Sequence, residues 1–209
     1  MILVLAEGRP RIISRIADKV SAVLLAFNPS NEGGRAISDV LFGDYNPNGK
    51  LPVTYPRFPG YLATYDRRAF ETDAKDYRQS PFYPQFEFGS GLSYTTFKYS
   101  DLRLSAKELP INGELTVSVK ITNTGTRAGK ETAILYLRDE YASITPQGKR
   151  VKRFAKIYLA PGQSKIVTFK LSRDDFSFVG LDNKSIVETG DFTVMIGDLS
   201  EKFALFEKQ

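Results

Sequence analysis

The side chains in this sequence that could do chemistry are carboxylates, hydroxyls and amines. Its 209 residues include neither histidine nor cysteine. That absence excludes disulfides, thiol nucleophiles, Cys/His zinc sites and Ser-His-Asp triads within the chain. Any catalysis by these residues would therefore have to use Asp, Glu, Tyr, Lys, Ser or Thr.

Acidic residues stand at several places where a site is conceivable. Glu7 follows a predicted strand, and ligands of α/β sheets often bind at such strand ends. We favour an exposed strand-end carboxylate there, with a catalytic acid as the alternative. Glu32 falls in the first turn of a predicted helix, where the positive end of the helix dipole explains an acid. The sequence context of Asp174-Asp175 and Asp198 is typical of turns.

A basic segment follows in the second half of the chain, whose formal net charge is +5. From Tyr141 to Arg173 the sequence contains no acid and the cations Lys149, Arg150, Lys152, Arg153, Lys156, Lys165, Lys170 and Arg173. One interpretation is a patch for nucleic acid or another anionic polymer. We favour the solvated face of strands and expect no nucleic-acid partner, because apolar residues interleave with the charges as core residues would: Phe154, Ile157, Val167, Phe169 and Leu171.

The elements that must position these residues begin with alternating strand and helix patterns. Residues 2–6 and 22–27 are predicted strands, residues 10–19 hold a helical turn or two, and a second helix opens at Pro29 and Ser30 and ends at Gly43. This order is typical of a parallel sheet. Two strands are too few for such a sheet, so we expect residues 1–60 to be the tail of a larger α/β domain whose earlier strands lie outside this sequence.

The rest of the chain changes character. Residues 61–99 are polar, without a clean period, and are predicted to be a linker and surface excursion. Beyond them the apolar period becomes two, and strands are predicted at residues 101–105, 115–122, 131–138, 152–159, 167–171, 184–188, 192–196 and 202–206. About seven or eight short strands within residues 100–209 fit an immunoglobulin-like β-sandwich. The predicted fold class is thus an α/β fragment followed by an all-β domain.

Nothing in the sequence directs the chain to a membrane. The longest apolar runs, residues 2–6 and 22–27, fall far short of the roughly 20 residues that a membrane span requires. The first run starts directly after Met1 without a basic leader, and no small-residue cleavage site follows it, so we expect no signal peptide. The lack of cysteine leaves the compartment open.

Several ordered motifs carry a resemblance to a known family. The chain reads EGGRAISDVLFGDYNPNGKLPVTYPR over residues 32–57 and FEFGSGLSYTTF over residues 86–97, with Gly8-Arg9-Pro10 upstream and Asn123-Thr124-Gly125 and Ala160-Pro161-Gly162 downstream. Together these closely resemble the carboxyl-terminal part of glycoside hydrolase family 3, the β-glucosidase and β-xylosidase family. The resemblance implies the end of an α/β sandwich domain followed by a fibronectin type III-like domain.

The resemblance also implies where the reacting groups of such an enzyme lie. Retaining glycosidases need two carboxyl groups about 5 Å apart. By resemblance the nucleophile is an Asp on an amino-terminal barrel and the acid/base a Glu upstream of the GRP motif, and neither region is present here. We therefore assign no catalytic, cofactor-binding or metal-binding residue to this chain. It is expected to complete the enzyme structurally, to need no cofactor, to meet β-glucosides or β-xylosides only together with the missing barrel, and to be inactive alone.

The resemblance leaves two alternatives open. The aromatic residues Tyr83, Phe86, Phe88, Tyr94 and Phe97 either line a sugar-facing groove or form the apolar seam between the two domains, which we favour. A non-catalytic carbohydrate-binding or interaction module is the alternative function. The segment Asn28-Pro29-Ser30-Asn31 departs from the family pattern, in which an aromatic residue and a Pro-Gly pair are frequent, and Ser90 replaces a more usual Tyr or His.

Overall fold

The computed structural model describes residues 1–61, 64–68 and 83–207. Within it the chain forms two compact units. The first takes in Met1–Tyr65 and the described part of the segment that ends at Tyr94. The second takes in Asp66–Arg68 and the chain from Thr95 onward.

The first unit contains the predicted parallel strand pair. Strand β1 (Ile2–Leu5) pairs with β2 (Ala22–Leu25) in parallel, so that Leu5 lies opposite Leu25. The connection holds the single helical turn α1 (Ser14–Ala17). The β-α-β order expected from the sequence is therefore confirmed, with a short helix.

Helix α2 (Gly33–Phe42) begins later than the sequence suggested. Ser30 has φ 56°, in the left-handed region, so a right-handed helix cannot include it. At the first helical position, a Cβ added to Gly33 would lie 2.4 Å from the Pro29 Cβ. Only glycine therefore allows the proline ring to pack against this turn. The helix ends as expected at Gly43, whose φ is 87°.

Much of the apolar surface of the first unit is exposed. Among its described hydrophobic residues, Ile13 and Tyr55 are buried. Ile2 on β1 is 48% exposed and Phe42 at the end of α2 is 82% exposed. Apolar side chains at strand and helix positions normally face a core. This unit therefore presents the faces that a larger domain would cover.

The second unit is almost entirely β. Its strands are β3 (Phe97–Leu104), β4 (Glu108–Pro110), β5 (Leu115–Asn123), β6 (Gly129–Asp139), β7 (Arg150–Leu159), β8 (Ser164–Leu171), β9 (Phe178–Val179), β10 (Ser185–Ile186), β11 (Gly190–Ile196) and β12 (Leu199–Phe206). They form a five-stranded sheet in the order β4-β12-β11-β6-β7, a three-stranded sheet in the order β3-β5-β8 and the small pair β9 and β10. The pairs are antiparallel except β12 with β4.

One hydrophobic core is shared by the two larger sheets of this unit. On β5 every second residue is fully buried: Leu115, Val117, Val119 and Ile121. Side chains from β4, β6, β7, β8, β11 and β12 also belong to the cluster. Helix α3 (Arg173–Phe176) adds Phe176, whose ring centroid lies 5.6 Å from that of Phe203. The period-two pattern thus predicted the core-facing positions because each strand has one face in the core.

One expectation about β7 was wrong. Phe154 was expected in the core but is 74% exposed. The register of β7 against β6 shifts between Leu135 and Tyr136, and Phe154 lies opposite Ile134 on the outward face. The short elements β4, β9 and α3 could not be predicted from the sequence, because they have too few residues to show a period.

Among the described residues, no helix has the length and apolar character that a membrane span requires.

Candidate functional site

The carboxyl end of β1 brings together three polar groups of the first unit. The Tyr55 hydroxyl donates a hydrogen bond of 2.7 Å to the Glu7 carboxylate and accepts one of 3.1 Å from the Arg11 backbone N–H. The Arg11 guanidinium lies 3.9 Å from the other Glu7 oxygen. The Glu7 side chain is only 8% exposed, so the expectation of an exposed carboxylate was wrong. Its hydroxyl partner lies 48 positions away and could not be identified from local sequence.

Burial and the Glu7 carboxylate both act on Tyr55. Desolvation first, and then the hydrogen bond to Glu7, raise the pKa of Tyr55 to about 12. The hydroxyl therefore remains a neutral donor at any physiological pH. The Tyr55 hydroxyl and the Arg11 guanidinium hold the Glu7 carboxyl group in one position. The arrangement suits a fixed hydrogen-bond acceptor at the strand end.

The carboxyl end of β2 lies beside it. Asn28 follows β2, and its side-chain nitrogen is 3.4 Å from the position a Cβ on Gly8 would take. Two residues of this connection, Phe27 and Ser30, have positive φ of 51° and 56°. Non-glycine residues pay roughly 1–2 kcal/mol for this conformation, and such strain often occurs at functional sites. Since ligands of α/β sheets bind at the carboxyl ends of the strands, the group Glu7, Tyr55, Arg11 and Asn28 is the candidate site of this unit.

Two of the sequence motifs contact each other directly. The Asn46 side-chain oxygen accepts hydrogen bonds of 2.8 Å from the Ser93 hydroxyl and of 2.8 Å from the Tyr94 backbone N–H. A Cβ on Gly91 would lie 2.2 Å from the Gly49 carbonyl oxygen. The segment of residues 46–55 is therefore held against residues 85–94. Gly91 allows this contact because it has no Cβ that would clash with the Gly49 carbonyl group.

The aromatic stretch is engaged within its own unit. Phe86 lies 5.8 Å from Tyr55 between ring centroids, and Phe88 stacks on Tyr65 at 4.4 Å. The Arg57 guanidinium carbon lies 5.4 Å from the centroid of the Tyr83 ring. Phe97 belongs to β3 of the second unit. The seam between domains that these residues were proposed to form stays a prediction.

The remaining acidic candidates are in separate places. Glu32 is the exposed N-cap residue of α2, and Asp198 lies in the turn between β11 and β12. Asp174 and Asp175 form the first turn of α3 rather than a loop. Asp175 is buried, and both its oxygens accept hydrogen bonds of 2.7 Å from the Arg153 guanidinium. In the described ranges the structure contains no group of three or more acidic side chains that could hold a metal ion.

The cations of the basic segment are distributed over two sheets. The Lys149 ammonium lies 4.9 Å from the centroid of the Tyr136 ring. The Arg150 guanidinium donates to the Ser177 carbonyl at 2.7 Å, and Lys170 pairs with Glu114 at 2.9 Å. Because β7 and β8 belong to different sheets, these residues do not form one continuous strand face.

Two buried polar residues of the second unit carried no motif signal. Asp139, at the end of β6, is 7% exposed, and one of its carboxylate oxygens has no hydrogen-bond partner among the residues that the structure describes. Burial raises the pKa of Asp139 above its usual value, although the Tyr141 backbone N–H partly opposes this. The sequence did contain one indication that Asp139 is buried, because this acid stands two residues after Leu137, at a core-facing position of a strand.

The other is Asn123 at the end of β5, which is fully buried. Its amide nitrogen donates to the carbonyl oxygens of Arg127 and Leu159 at 2.8 Å and 3.0 Å. Its amide oxygen accepts from the Thr95 hydroxyl at 2.6 Å and the Gly125 backbone N–H at 3.1 Å. In the sequence this Asn-Thr-Gly was one of the motifs that carry the family resemblance. The structure shows that its first residue also joins three separate chain segments.

Comparison with known proteins identifies both units. Residues 1–94 match the Glycosyl hydrolase family 3 C-terminal domain, and residues 131–200 match the Fibronectin type III-like domain. The chain belongs to the carboxyl-terminal region of glycoside hydrolase family 3. A β-xylosidase of Formosa agariphila is 42% identical over 96% of this chain and 28% of its own length. A periplasmic β-glucosidase of Salmonella typhimurium is 39% identical over 94% of this chain and 27% of its own length.

Solved structures of the family give the same result. The structure of a β-glucosidase from Listeria innocua in complex with laminaribiose superposes with a TM-score of 0.88 at 32% identity, over 98% of this chain and 30% of that chain. A β-glucosidase from Erythrobacter marinus superposes with a TM-score of 0.87 at 35% identity, over 98% of this chain and 28% of that chain. This family 3 chain therefore spans less than a third of the length of these relatives.

Proposed function

We propose that this chain is the structural, carboxyl-terminal portion of a retaining β-glycosidase that hydrolyses terminal β-glucosyl or β-xylosyl residues. The observation that carries the proposal is the coverage: relatives named β-xylosidase and β-glucosidase match 96% and 94% of this chain with 28% and 27% of their own length. The reacting carboxylates would belong to the part of the enzyme that this chain does not match. That part is the partner that this chain requires.

The exposed apolar faces of the first unit support this interpretation. Residues 1–60 would complete an α/β sandwich domain, in which further strands extend the parallel pair β1 and β2. Residues 61–99 would connect it to a fibronectin type III-like β-sandwich of residues 100–209. The fibronectin type III-like domain would stabilise the enzyme by packing against the other domains of the enzyme. The core shared by the two larger sheets is consistent with such a sandwich.

The candidate site at Glu7 supports a non-catalytic assignment. A retaining glycosidase needs a second carboxyl group about 5 Å from the first. The groups in contact with Glu7 are instead the Tyr55 hydroxyl and the Arg11 guanidinium. Glu7 would thus fix the strand end of the sandwich domain rather than react with a sugar.

The test uses the purified chain with nitrophenyl β-glucoside and nitrophenyl β-xyloside. We expect no release of nitrophenol. Replacing the matched carboxyl-terminal region of the Listeria innocua β-glucosidase by this chain should give a hybrid that releases it, and E7Q in the hybrid should leave kcat within about threefold. Turnover by the isolated chain that E7Q abolishes would refute the proposal.

A carbohydrate-binding role is the second candidate, favoured by exposed rings on the outer face of β7. Phe154 is 74% exposed and Tyr158 is 58% exposed, and residues four apart on a strand lie on one face. If this face bound polysaccharide, insoluble glucan would deplete the chain from solution and F154A would abolish the depletion. The structural role predicts that the chain stays in the supernatant.

A further inference from the structure

Several exposed apolar side chains of the first unit lie on two chain segments that are bonded to each other. Phe42 at the end of α2 and Leu92 are almost fully exposed, and Tyr45 and Tyr94 are also classed among the exposed large side chains. The Tyr94 hydroxyl donates a hydrogen bond of 2.6 Å to the Val40 carbonyl oxygen, which joins the two segments beside α2. We refer to Phe42, Tyr45, Leu92 and Tyr94 as the apolar patch.

The neighbours of Leu92 fix its position in the chain. On one side, Gly91 packs so closely against the Gly49 carbonyl oxygen that a Cβ would lie 2.2 Å from it. On the other side, the Ser93 hydroxyl donates to the Asn46 side-chain oxygen at 2.8 Å. Leu92 is therefore presented to solvent between two tightly held residues. Preorganisation of this kind lowers the entropy cost of binding a partner.

The two tyrosines of the patch already have partners for their polar ends. Tyr94 donates its hydroxyl proton to Val40, and the Tyr45 hydroxyl accepts a hydrogen bond of 2.8 Å from the Asn48 side-chain nitrogen. Burying a polar group is costly when it loses its hydrogen bond. Because both hydroxyls are bonded within the unit, a partner could cover the two rings without leaving either hydroxyl unsatisfied.

The size of the apolar patch indicates what kind of partner it fits. An aromatic side chain buries about 150–250 Å² when it is fully covered, so the exposed parts of these four side chains offer roughly 500 Å². A separate protein partner normally needs about 800 Å² on each side. A further part of the same polypeptide can use a smaller area, because the covalent connection removes most of the entropy cost of association. The area therefore favours another part of the enzyme over a second copy of the chain.

The relatives of this chain contain such a further part. The β-xylosidase of Formosa agariphila matches this chain with only 28% of its own length, so most of that enzyme lies outside the match. All the residues of the apolar patch fall within residues 32–57 and 86–97, the two longest strings by which this chain resembles family 3. A surface built from the motifs of the family fits a partner that its members have in common.

We propose that the apolar patch is a docking surface for the amino-terminal portion of the enzyme. The inference rests on the proposed function and adds a contact region that lies outside the parallel strands β1 and β2. Leu92, which is 89% exposed, would supply the largest aliphatic contact. The tyrosine rings would be covered with their hydroxyls still bonded to Val40 and Asn48.

The test uses the hybrid in which this chain replaces the matched region of the Listeria innocua β-glucosidase. The half-life of the folded hybrid at a fixed elevated temperature is followed by circular dichroism. We expect L92D to shorten this half-life about tenfold or more, because the burial of a leucine side chain corresponds to at least about a tenfold change in an equilibrium constant. The matched control is L181D, at a leucine of the second unit that is 88% exposed. It should leave the half-life within about twofold.

The isolated full chain provides the second measurement. Both leucines are exposed there, so neither L92D nor L181D should move the midpoint of its urea unfolding. A loss of stability in the isolated chain as large as that in the hybrid would assign Leu92 to the core of its own unit and overturn the proposal. A dimer of the isolated chain in light scattering that L92D converts to a monomer would also overturn it, because a second copy would then be the occupant.

The hybrid separates this inference from the proposed function. Equal half-lives of the wild-type and L92D hybrids would overturn the docking surface, and so would equal shortening by L92D and L181D. Nitrophenol release by the wild-type hybrid tests the proposed function instead. A folded hybrid that releases no nitrophenol would refute that function, whereas its half-lives would still decide whether the apolar patch is a docking surface.

Discussion

Replacing Asn123 by leucine, which has nearly the same shape, removes four hydrogen bonds from the interior of the second unit. The Leu159 carbonyl and the Thr95 hydroxyl lie in buried residues, so water cannot easily replace the lost partner. Each buried group that loses its hydrogen bond costs about 1–3 kcal/mol. The partners at Arg127 and Gly125 are less buried and add less. We therefore expect N123L to lower the free energy of unfolding by about 3–4 kcal/mol.

The assay is urea unfolding of the full chain, followed by far-ultraviolet circular dichroism and tyrosine fluorescence. T95V removes a single one of the four hydrogen bonds and should cost about 1 kcal/mol. N112A alters an exposed turn residue and should change the free energy of unfolding by less than about 0.5 kcal/mol. A cost below about 1 kcal/mol for N123L would show that the hydrogen bonds of Asn123 are replaced by others and would refute the reasoning.

An aspartate at this position adds a pH signature. In N123D a carboxylate oxygen would face the carbonyl oxygens of Arg127 and Leu159, which now accept from the amide. Burial and these two acceptors would raise the pKa of the new carboxyl group. Stability is then present below the unfolded-state pKa and is lost as the pH rises through the folded-state pKa. Relative to the wild-type chain at each pH, N123D should be less stable at pH 7 than at pH 4.

Three further substitutions test other parts of the structure. S30G removes the left-handed strain at a position with φ 56° and should raise the free energy of unfolding of the first unit by about 0.5–1 kcal/mol in urea titrations; a loss would contradict the strain. D139N removes a carboxyl group whose pKa is raised by burial. Its free energy of unfolding should rise relative to that of the wild-type chain as the pH increases from 3.5 to 7, and a constant difference would exclude this origin. Y55F takes the hydroxyl away from Glu7 and should cost about 1–2 kcal/mol by thermal unfolding, whereas Y45F, at an exposed ring, should cost less.

The sequence predicted those parts of the fold that follow from a repeating pattern. Strands β5, β8 and β11 were predicted because alternate apolar residues are buried over the predicted ranges, and the parallel pair β1 and β2 because both are short apolar runs. The position of Phe154 was wrong because Phe154 stands three residues before the buried Ile157, and residues an odd number apart on a regular strand lie on opposite faces.

The candidate site was harder to predict from the sequence than the fold. Glu7 could be placed at a strand end, but whether it is exposed depends on Tyr55, which is distant in the chain. The role of Asn123 in joining three segments likewise depends on Thr95 and Leu159. Pairings between distant segments are fixed by the tertiary fold, so patterns of neighbouring residues cannot show them.

The antiparallel bridge between Tyr55 and Phe86 closes the base of a long chain excursion. Once the base is fixed, doubling the number of residues between the two ends costs only about 0.6 kcal/mol in closure entropy. The residues of this stretch that the structure describes are tied to the second unit's own loops, because the Arg68 guanidinium donates to the Pro146 and Glu140 carbonyl oxygens. An engineer who wishes to insert a reporter peptide between Tyr55 and Phe86 should therefore leave residues 64–68 unchanged.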